Sequence, residues 1–493
     1  MAGKRQIIFL MTDTTRWDML GCYGNGDMHT PNLDALAARG TRFERAYTCQ
    51  PVCGPARSAI FTGLYPHSNG GWTNSVALNA DVKTLGQRLT DAGVHCGYIG
   101  KWHLDGGDYF GNGVCPEGWD ADYWYDMRCY LEELTEEERR YSRVEGNPVK
   151  PEFTYGYRVA DRAVRFLQEN GGEDFFLTVS LDEPHGPSLC PEPFASMYEN
   201  YEFPKSANIW DDLQNKPPHQ RAWAGENLKR DADALKLTPR YLLGCNAFAD
   251  QQLGRVIDAA RELAPDAMIV FTSDHGDFIG SHALSGKGPA GYDEICRIPL
   301  IVAGGAAQKG QVYPHPVSHI DLAPTLLHYM GVASPTLPGH DLAPALAGGA
   351  EPVDEQVFFE FGRYEVDHDG FGGFQPMRAA FDGRYKLVIN LLGTDELYDL
   401  REDSCEMENL IGREDTAAVR DALHDRILEM MNRTRDPFRG YYWERRPWRA
   451  DARPATWDYT GYTRQKETEP GEARQLDYDT GLPMVEATRF KKV

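Results

Sequence analysis

No apolar run in this chain reaches eighteen residues, so no segment is long enough to cross a bilayer as a helix. CxxC pairs and the even spacing of a disulfide framework are also missing. The ten cysteines (Cys22, Cys49, Cys53, Cys96, Cys115, Cys129, Cys190, Cys245, Cys296 and Cys405) are dilute in 493 residues, which predicts reduced thiols. Basic charge is scarce: 51 Lys and Arg face 74 Asp and Glu, a net charge of −23. That balance disfavours nucleic acid and anionic membrane as partners, and leaves polyanions to bind only through a local basic pocket. The opening MAGKRQIIFLMTD has neither the longer apolar region nor the small-residue cleavage site of a signal peptide. It reads as a buried first strand, and a cytoplasmic location is the expectation.

What is present is a large globular core. From residue 5 to about 330, short β-rich runs alternate with helical patterns. QIIFLMT (6–12), CGYIG (96–100), DFFLTVSL (174–181), AMIVFTS (267–273) and PLIVAG (299–304) are nearly continuous in apolar residues, as strands buried on both faces are. Between them lie helix candidates, among them PNLDALAARG, with Pro31 at its start and Gly40 past its end, and PRYLLGCNAFADQQLGRVIDAARELA. The alternation predicts an α/β fold, a mostly parallel sheet sandwiched by helices, with the site at the strands' carboxyl ends. After about 350, EQVFFEF, MRAAFDG and YKLVINL predict an antiparallel sheet, with a helix over REDTAAVRDALHDRILEMMNRT. The expected division is a catalytic domain over 1–350, an α+β subdomain over 351–440 and an aromatic-rich tail over 441–493, the tail being an arm for a homo-oligomer or a flexible end. Two long insertions, 105–150 and 200–238, either border the site or decorate the surface.

Four polar clusters follow predicted strands: TDTTRWD (12–18), GKWHLDG (100–106), DEPHGP (182–187) and SDHGDFIGSHALSGKG (273–288). One such cluster is an ordinary loop; four, each with Asp, His or Lys, point to a site. Asp13, Asp274 and His275 stand at the tips of two strands that become neighbours if the sheet closes as expected. Carboxylates with one imidazole suit a hard divalent cation, Ca²⁺ or alternatively Mg²⁺ or Mn²⁺, while each Asp taken alone reads more readily as a turn or helix cap. Arg57, Lys101, Lys287, His103 and His185 would line an anion pocket beside that cation, with histidines able to move protons near neutral pH.

In QPVCGPARSAIFTG, Pro55 suits a first helical turn, which places Cys53 at a helix start with Arg57 one turn on. Such a setting lowers a thiol pKa and suggests a thiolate nucleophile. A soft thiolate beside hard-cation ligands is a poor chemical match, which hints that Cys53 does not remain cysteine.

The stretch C-G-P-A-R followed by S-A-I-F-T-G resembles the signature of the formylglycine-dependent type I sulfatases, C-x-P-x-R-x-x-x-x-T-G. The resemblance runs over about residues 5 to 410 through TPNLDALAARGTRFERAY, GYIGKWHL, FFLTVSLDEPHGP, VFTSDHGDFIGSHALSGKG and ELYDLREDSCEMENL. It implies an alkaline-phosphatase-like fold with a small C-terminal subdomain. It also implies that a formylglycine-generating or sulfatase-maturating enzyme oxidises Cys53, whose aldehyde hydrate attacks the sulfur of a sulfate ester. By the same resemblance Asp13, Asp274, His275 and residue 53 hold Ca²⁺, and Arg57 and Lys101 hold the hydrate and sulfate oxygens. Lys287 and His185 bind sulfate and protonate the leaving alcohol, and His103 takes the proton whose loss expels sulfate. Thr14 departs from the family, which often has Asp there, and is a doubtful ligand. The expected substrate is a sulfated carbohydrate. The alternatives are a phosphonate monoester or phosphodiester hydrolase of the same superfamily, a hydrolase using unmodified Cys53, and an inactive anion- or calcium-binding protein.

Overall fold

The computed structural model describes residues 4–106, 109–141, 149–354, 356–365 and 373–449. The arm expected of residues 441–493 lies almost wholly outside them. Met1–Arg439 form one compact unit, and Gly440–Val493 belong to a second.

Seven strands build the main sheet: β1 (Gln6–Asp13), β2 (Gly40–Tyr47), β3 (His95–Gly100), β4 (Phe175–Pro184), β5 (Met268–Ser273), β6 (Arg297–Ala303) and β7 (Gln311–Ser318). Their order is β3-β4-β1-β5-β6-β2-β7. The pairs β3/β4, β4/β1, β1/β5 and β2/β7 are parallel, and β6 alone runs against its neighbours. The five apolar runs of the sequence are β1, β3, β4, β5 and β6. The sequence reading passed over β2, whose centre carries Arg42, Glu44 and Arg45, and β7, an edge strand holding Pro314 and Pro316, where a missing amide costs no ladder bond.

Alternation along β1 shows how both faces are covered. Ile8 and Leu10 pack with Leu33 and Leu36 of α1 (Pro31–Ala38), and with apolar residues of two long helices, Tyr155–Asn170 and Arg240–Leu263. Ile7, Phe9 and Met11 face the other way, against Ile60 and Phe61 of α2 (Cys53–Thr62) and Leu326 of the helix Leu322–Tyr329. The sheet is thus the middle layer of three.

Beyond it, β8 (Val357–Phe361), β9 (Met377–Phe381), β10 (Tyr385–Asn390) and β11 (Glu396–Asp399) form an antiparallel sheet in the order β11-β10-β9-β8. The helix Ala417–Arg433 packs on β9 and β10. The sheet shares a core with Phe278, Leu284 and Tyr292 from the segment that follows β5. No helix among the described residues is long and apolar enough to cross a membrane.

Candidate active site

The four polar clusters come from β3, β4, β1 and β5, which are adjacent in the sheet. Their carboxyl ends therefore meet along one edge, as the fold rule requires. Thr12 pairs with Ser273 across β1 and β5, so Asp13 and Asp274 leave the sheet side by side. Asp13, Cys53, Asp274 and His275 are buried, and each offers a ligand atom within 4.8 Å of the others'. Nε2 of His275 lies 3.3 Å from Cys53 Sγ and 3.6 Å from both Asp13 Oδ1 and Asp274 Oδ1. Its Nδ1 donates to the Gly276 carbonyl at 2.9 Å, which leaves Nε2 for the cluster.

The cluster passes a test of fit for a hard cation. Neighbouring Ca²⁺ ligands, at about a right angle on bonds of about 2.3–2.6 Å, stand about 3.3–3.7 Å apart, which matches the 3.3 and 3.6 Å separations around His275. The charges agree. Burial pushes the Asp274 carboxyl up and the neighbouring Asp13 adds to the shift, with His275 and Arg57 offsetting only part of it. Burial also opposes ionisation of Asp13, but Lys101, Lys287, His185 and His275 together hold its carboxyl well below the usual range. Two adjacent buried carboxylates with uneven compensation are a setting a divalent cation completes.

Cys53 is the first residue of α2, a helix buried at all ten positions, and the thiol is 1% exposed. The Gly54 amide next to it is held by Asn74 Oδ1 at 2.8 Å, which ties the helix start to the loop after α2. Burial and Asp13 push the thiol pKa up, but Lys287, Lys101 and His275 prevail and hold it well below 9.0. Lys287 Nζ stands 2.9 Å from the sulfur.

Arg57, one turn along α2, is fully buried. It gives Nε to Asp274 Oδ2 at 3.1 Å and Nη1 to the Lys101 carbonyl at 2.7 Å and Ser180 Oγ at 2.8 Å. Its Nη2 has no hydrogen-bond partner and lies 3.6 Å from Asp13 Oδ2, a buried donor aimed at the site. Lys101 bridges Asp13 Oδ2 at 2.7 Å and Asp182 Oδ1 at 2.8 Å.

His185 and Lys287 line one cavity of about 440 Å³ with Thr14, Trp223, Asp277 and Tyr364. His103 stands further back: its ring meets Tyr109 edge-on at 5.4 Å, and its buried Nδ1 has no partner. Thr14 donates its hydroxyl to Asp13 Oδ1 at 2.7 Å and its amide to Asp274 Oδ1 at 3.2 Å. Thr14 and His103 hold φ of 72° and 59°, left-handed values that are costly for such residues and collect at working sites.

Five residues of the site escaped sequence reasoning: Asn74, Tyr109, Asp182, Trp223 and Tyr364. Tyr109 and Trp223 come from the two long insertions, the signal that could have found them. Asp182 stood in a quoted cluster beside the chosen His185. Tyr364 follows β8, and its carbonyl accepts the Asn74 amide at 3.2 Å, so a loop from the second sheet closes the pocket.

A cysteine at a buried helix start, a buried Asp-Asp-His cluster that could hold a cation and a cavity lined by Lys287 and His185, all at this sheet edge, are the arrangement of the alkaline-phosphatase-like class of ester hydrolases. Within that class the Sulfatase family model matches residues 5–332, and the C-terminal model of N-sulphoglucosamine sulphohydrolase matches residues 282–433. The chain is 45% identical to the uncharacterized sulfatase YidJ of Escherichia coli K12, over 97% of each chain. It is 25% identical to the N-acetylglucosamine-6-O-sulfatase of Bacteroides thetaiotaomicron, over 88% of this chain and 87% of that one. The phosphonate monoester hydrolase of Agrobacterium radiobacter shares its fold, with a TM-score of 0.74 and 24% identity over 87% of this chain and 96% of that one. The chain belongs to the sulfatase family and is a sulfuric ester hydrolase.

Proposed function

We propose that this sulfatase hydrolyses a sulfate monoester of a carbohydrate, using a formylglycine made from Cys53 by a maturating enzyme and Ca²⁺ held by Asp13, Asp274, His275 and residue 53. The observation that carries the reading is the convergence of Lys287 and His275 on Cys53 Sγ, with Arg57 and Lys101 behind it, both on Asp13. As its hydrate, formylglycine supplies one hydroxyl to attack sulfur and a second whose deprotonation releases sulfate. Bound Ca²⁺ supplies compensation for charge on the sulfate oxygens.

The chain's own residues do the rest. Lys287 Nζ and the unpartnered Nη2 of Arg57 bind anionic oxygens, and both are fixed in place before substrate arrives. Lys101, neutralised by Asp13 and Asp182, holds the Asp13 carboxylate in position. His185, at the cavity wall, gives a proton to the leaving alcohol, and the open Nδ1 of His103 accepts one. Trp223 and Tyr364 give aromatic surface for a sugar ring in a cavity sized for a small molecule. The N-acetylglucosamine-6-O-sulfatase relative is what supports a carbohydrate sulfate as the ester.

The test uses protein whose Cys53 modification is confirmed by peptide mass, assayed on an aryl sulfate and an aryl phosphonate monoester. Preference for the sulfate is expected; preference for the phosphonate reassigns the protein to the phosphonate hydrolases. A panel of defined sulfated mono- and disaccharides then identifies the ester. Zero turnover throughout would leave an inactive anion-binding protein.

A further inference from the structure

Assigning leaving-group protonation to His185 raises the question of what orients its ring. Nδ1 lies 2.8 Å from the Gly186 carbonyl oxygen and 2.9 Å from Tyr109 Oη. A carbonyl oxygen only accepts, so Nδ1 carries a proton and Nε2 is the nitrogen left for the cavity. Tyr109 Oη in turn lies 2.5 Å from Asp182 Oδ1. A carboxylate also only accepts, so the tyrosine hydroxyl donates to Asp182 and offers its lone pair to the Nδ1–H of His185. The same Asp182 oxygen takes Lys101 Nζ at 2.8 Å, and that ammonium stands 4.0 Å from the centre of the Tyr109 ring. One continuous chain joins Asp13, Lys101, Asp182, Tyr109 and His185: Lys101 donates to both carboxylates, Tyr109 donates to Asp182, and the one Nδ1–H of His185 is shared between Tyr109 Oη and the Gly186 carbonyl.

We propose that Tyr109 is a positioning residue: backed by Asp182, its hydroxyl sets the ring of His185 so that Nε2 meets the leaving oxygen. The layout matches the carboxylate that orients a catalytic histidine in hydrolases, with a phenol interposed. The inference rests on the sulfatase reading above, with His185 as the acid. In the step concerned an attacking hydroxyl oxygen bonds to sulfur as the sulfur–oxygen bond to the alcohol breaks, and the electron pair of the broken bond stays on the alcohol oxygen. The Nε2 proton of the imidazolium joins that oxygen, leaving neutral imidazole whose Nδ1–H still points at Tyr109. Tyr109 and Asp182 neither gain nor lose a proton.

Tyr109→Phe keeps the ring under Lys101 and removes only the hydroxyl. Its kcat and KM are measured on 4-nitrophenyl sulfate, whose leaving group needs little protonation, and on the sugar sulfate that serves as substrate, whose leaving group needs it. The expected kcat loss is about tenfold larger on the sugar sulfate, with KM moving less than about threefold. A merely structural role would lower both substrates alike. His185→Ala is run beside it and shows the same bias, larger. If His185→Ala is biased and Tyr109→Phe loses both activities equally, or loses neither, the role of Tyr109 is overturned and the sulfatase reading stands. If His185→Ala itself shows no bias, the assignment of the acid fails and the inference with it.

Discussion

Lys287 Nζ and Cys53 Sγ lie 2.9 Å apart although 234 positions separate them in the chain. The ammonium comes from the loop after β5, the sulfur from the start of α2, and both are buried. Cys53→Ala removes the reacting atom and leaves the cationic pocket in place. The variant is expected to fold with wild-type secondary structure, to bind a sulfate ester with its cations intact, and to show no turnover above background. Circular dichroism, calorimetric binding and a sulfate-release assay check the three parts; measurable turnover sinks the role of residue 53.

Thr14 donates to both Asp13 and Asp274, so a carboxylate at this position would stand beside the same cluster of candidate cation ligands. Its left-handed backbone suits Asp better than a β-branched residue. Thr14→Asp is expected to tighten divalent-cation binding, so that Ca²⁺ titration raises the melting temperature at lower concentration than in wild type. Each tenfold gain in affinity adds about 1.4 kcal/mol at saturation. Chelation should abolish turnover in both proteins. Weaker binding by the variant would mean that the hydroxyl itself serves the ion.

Arg57 spreads three donors over Asp274, the Lys101 carbonyl and Ser180 at full burial. A lysine ammonium keeps the charge and loses the fork. Arg57→Lys should lower kcat/KM by about 100-fold or more, because the anion pocket loses a fixed donor. It should also cost about 3 kcal/mol in denaturant unfolding, since buried acceptors are left unpaired. A near-wild-type kcat/KM would show that only charge matters there.

Glu183 follows Asp182 at the end of β4. Burial first, and the Asp182 charge second, push its carboxyl up to about 7 from 4.5. One oxygen accepts the Gly156 amide at 2.7 Å, and the other has no partner. The folded state therefore binds this proton more tightly than the unfolded chain does. The stability it contributes is present in acid and is lost as pH rises from about 4.5 to about 7. Glu183→Gln keeps the acceptor and removes the charge. It should gain on the order of 1–3 kcal/mol over wild type at pH 8 and little at pH 4, read from paired thermal melts. A gain independent of pH would show that ionisation is not the cause.

The parts of the fold that the sequence disclosed were those where burial on both faces leaves a plain mark. Strands β1, β3, β4 and β5 are apolar runs ending in charged residues, and those ends are the site. What it hid depended on partners distant in the chain. β2 reads as a polar segment because Arg42 and Arg297 both pair with Glu44. β11 is four residues long, too short for a period to show. Asp13 and His275 stood out because acids and imidazoles at strand ends suit a cation. Tyr109 and Tyr364 did not, because a tyrosine in an insertion or loop looks the same whether it meets Asp182 or solvent.

The burial of Cys53 also sets a clock. Once α2 is packed against the sheet, the thiol is 1% exposed with Lys287 Nζ 2.9 Å away. If an enzyme oxidises it as proposed above, that enzyme would have to reach the segment before α2 is packed. On that reading conversion and folding would compete for the same segment. A molecule that folds first keeps its sulfur and, on the reading above, stays inert until it unfolds again.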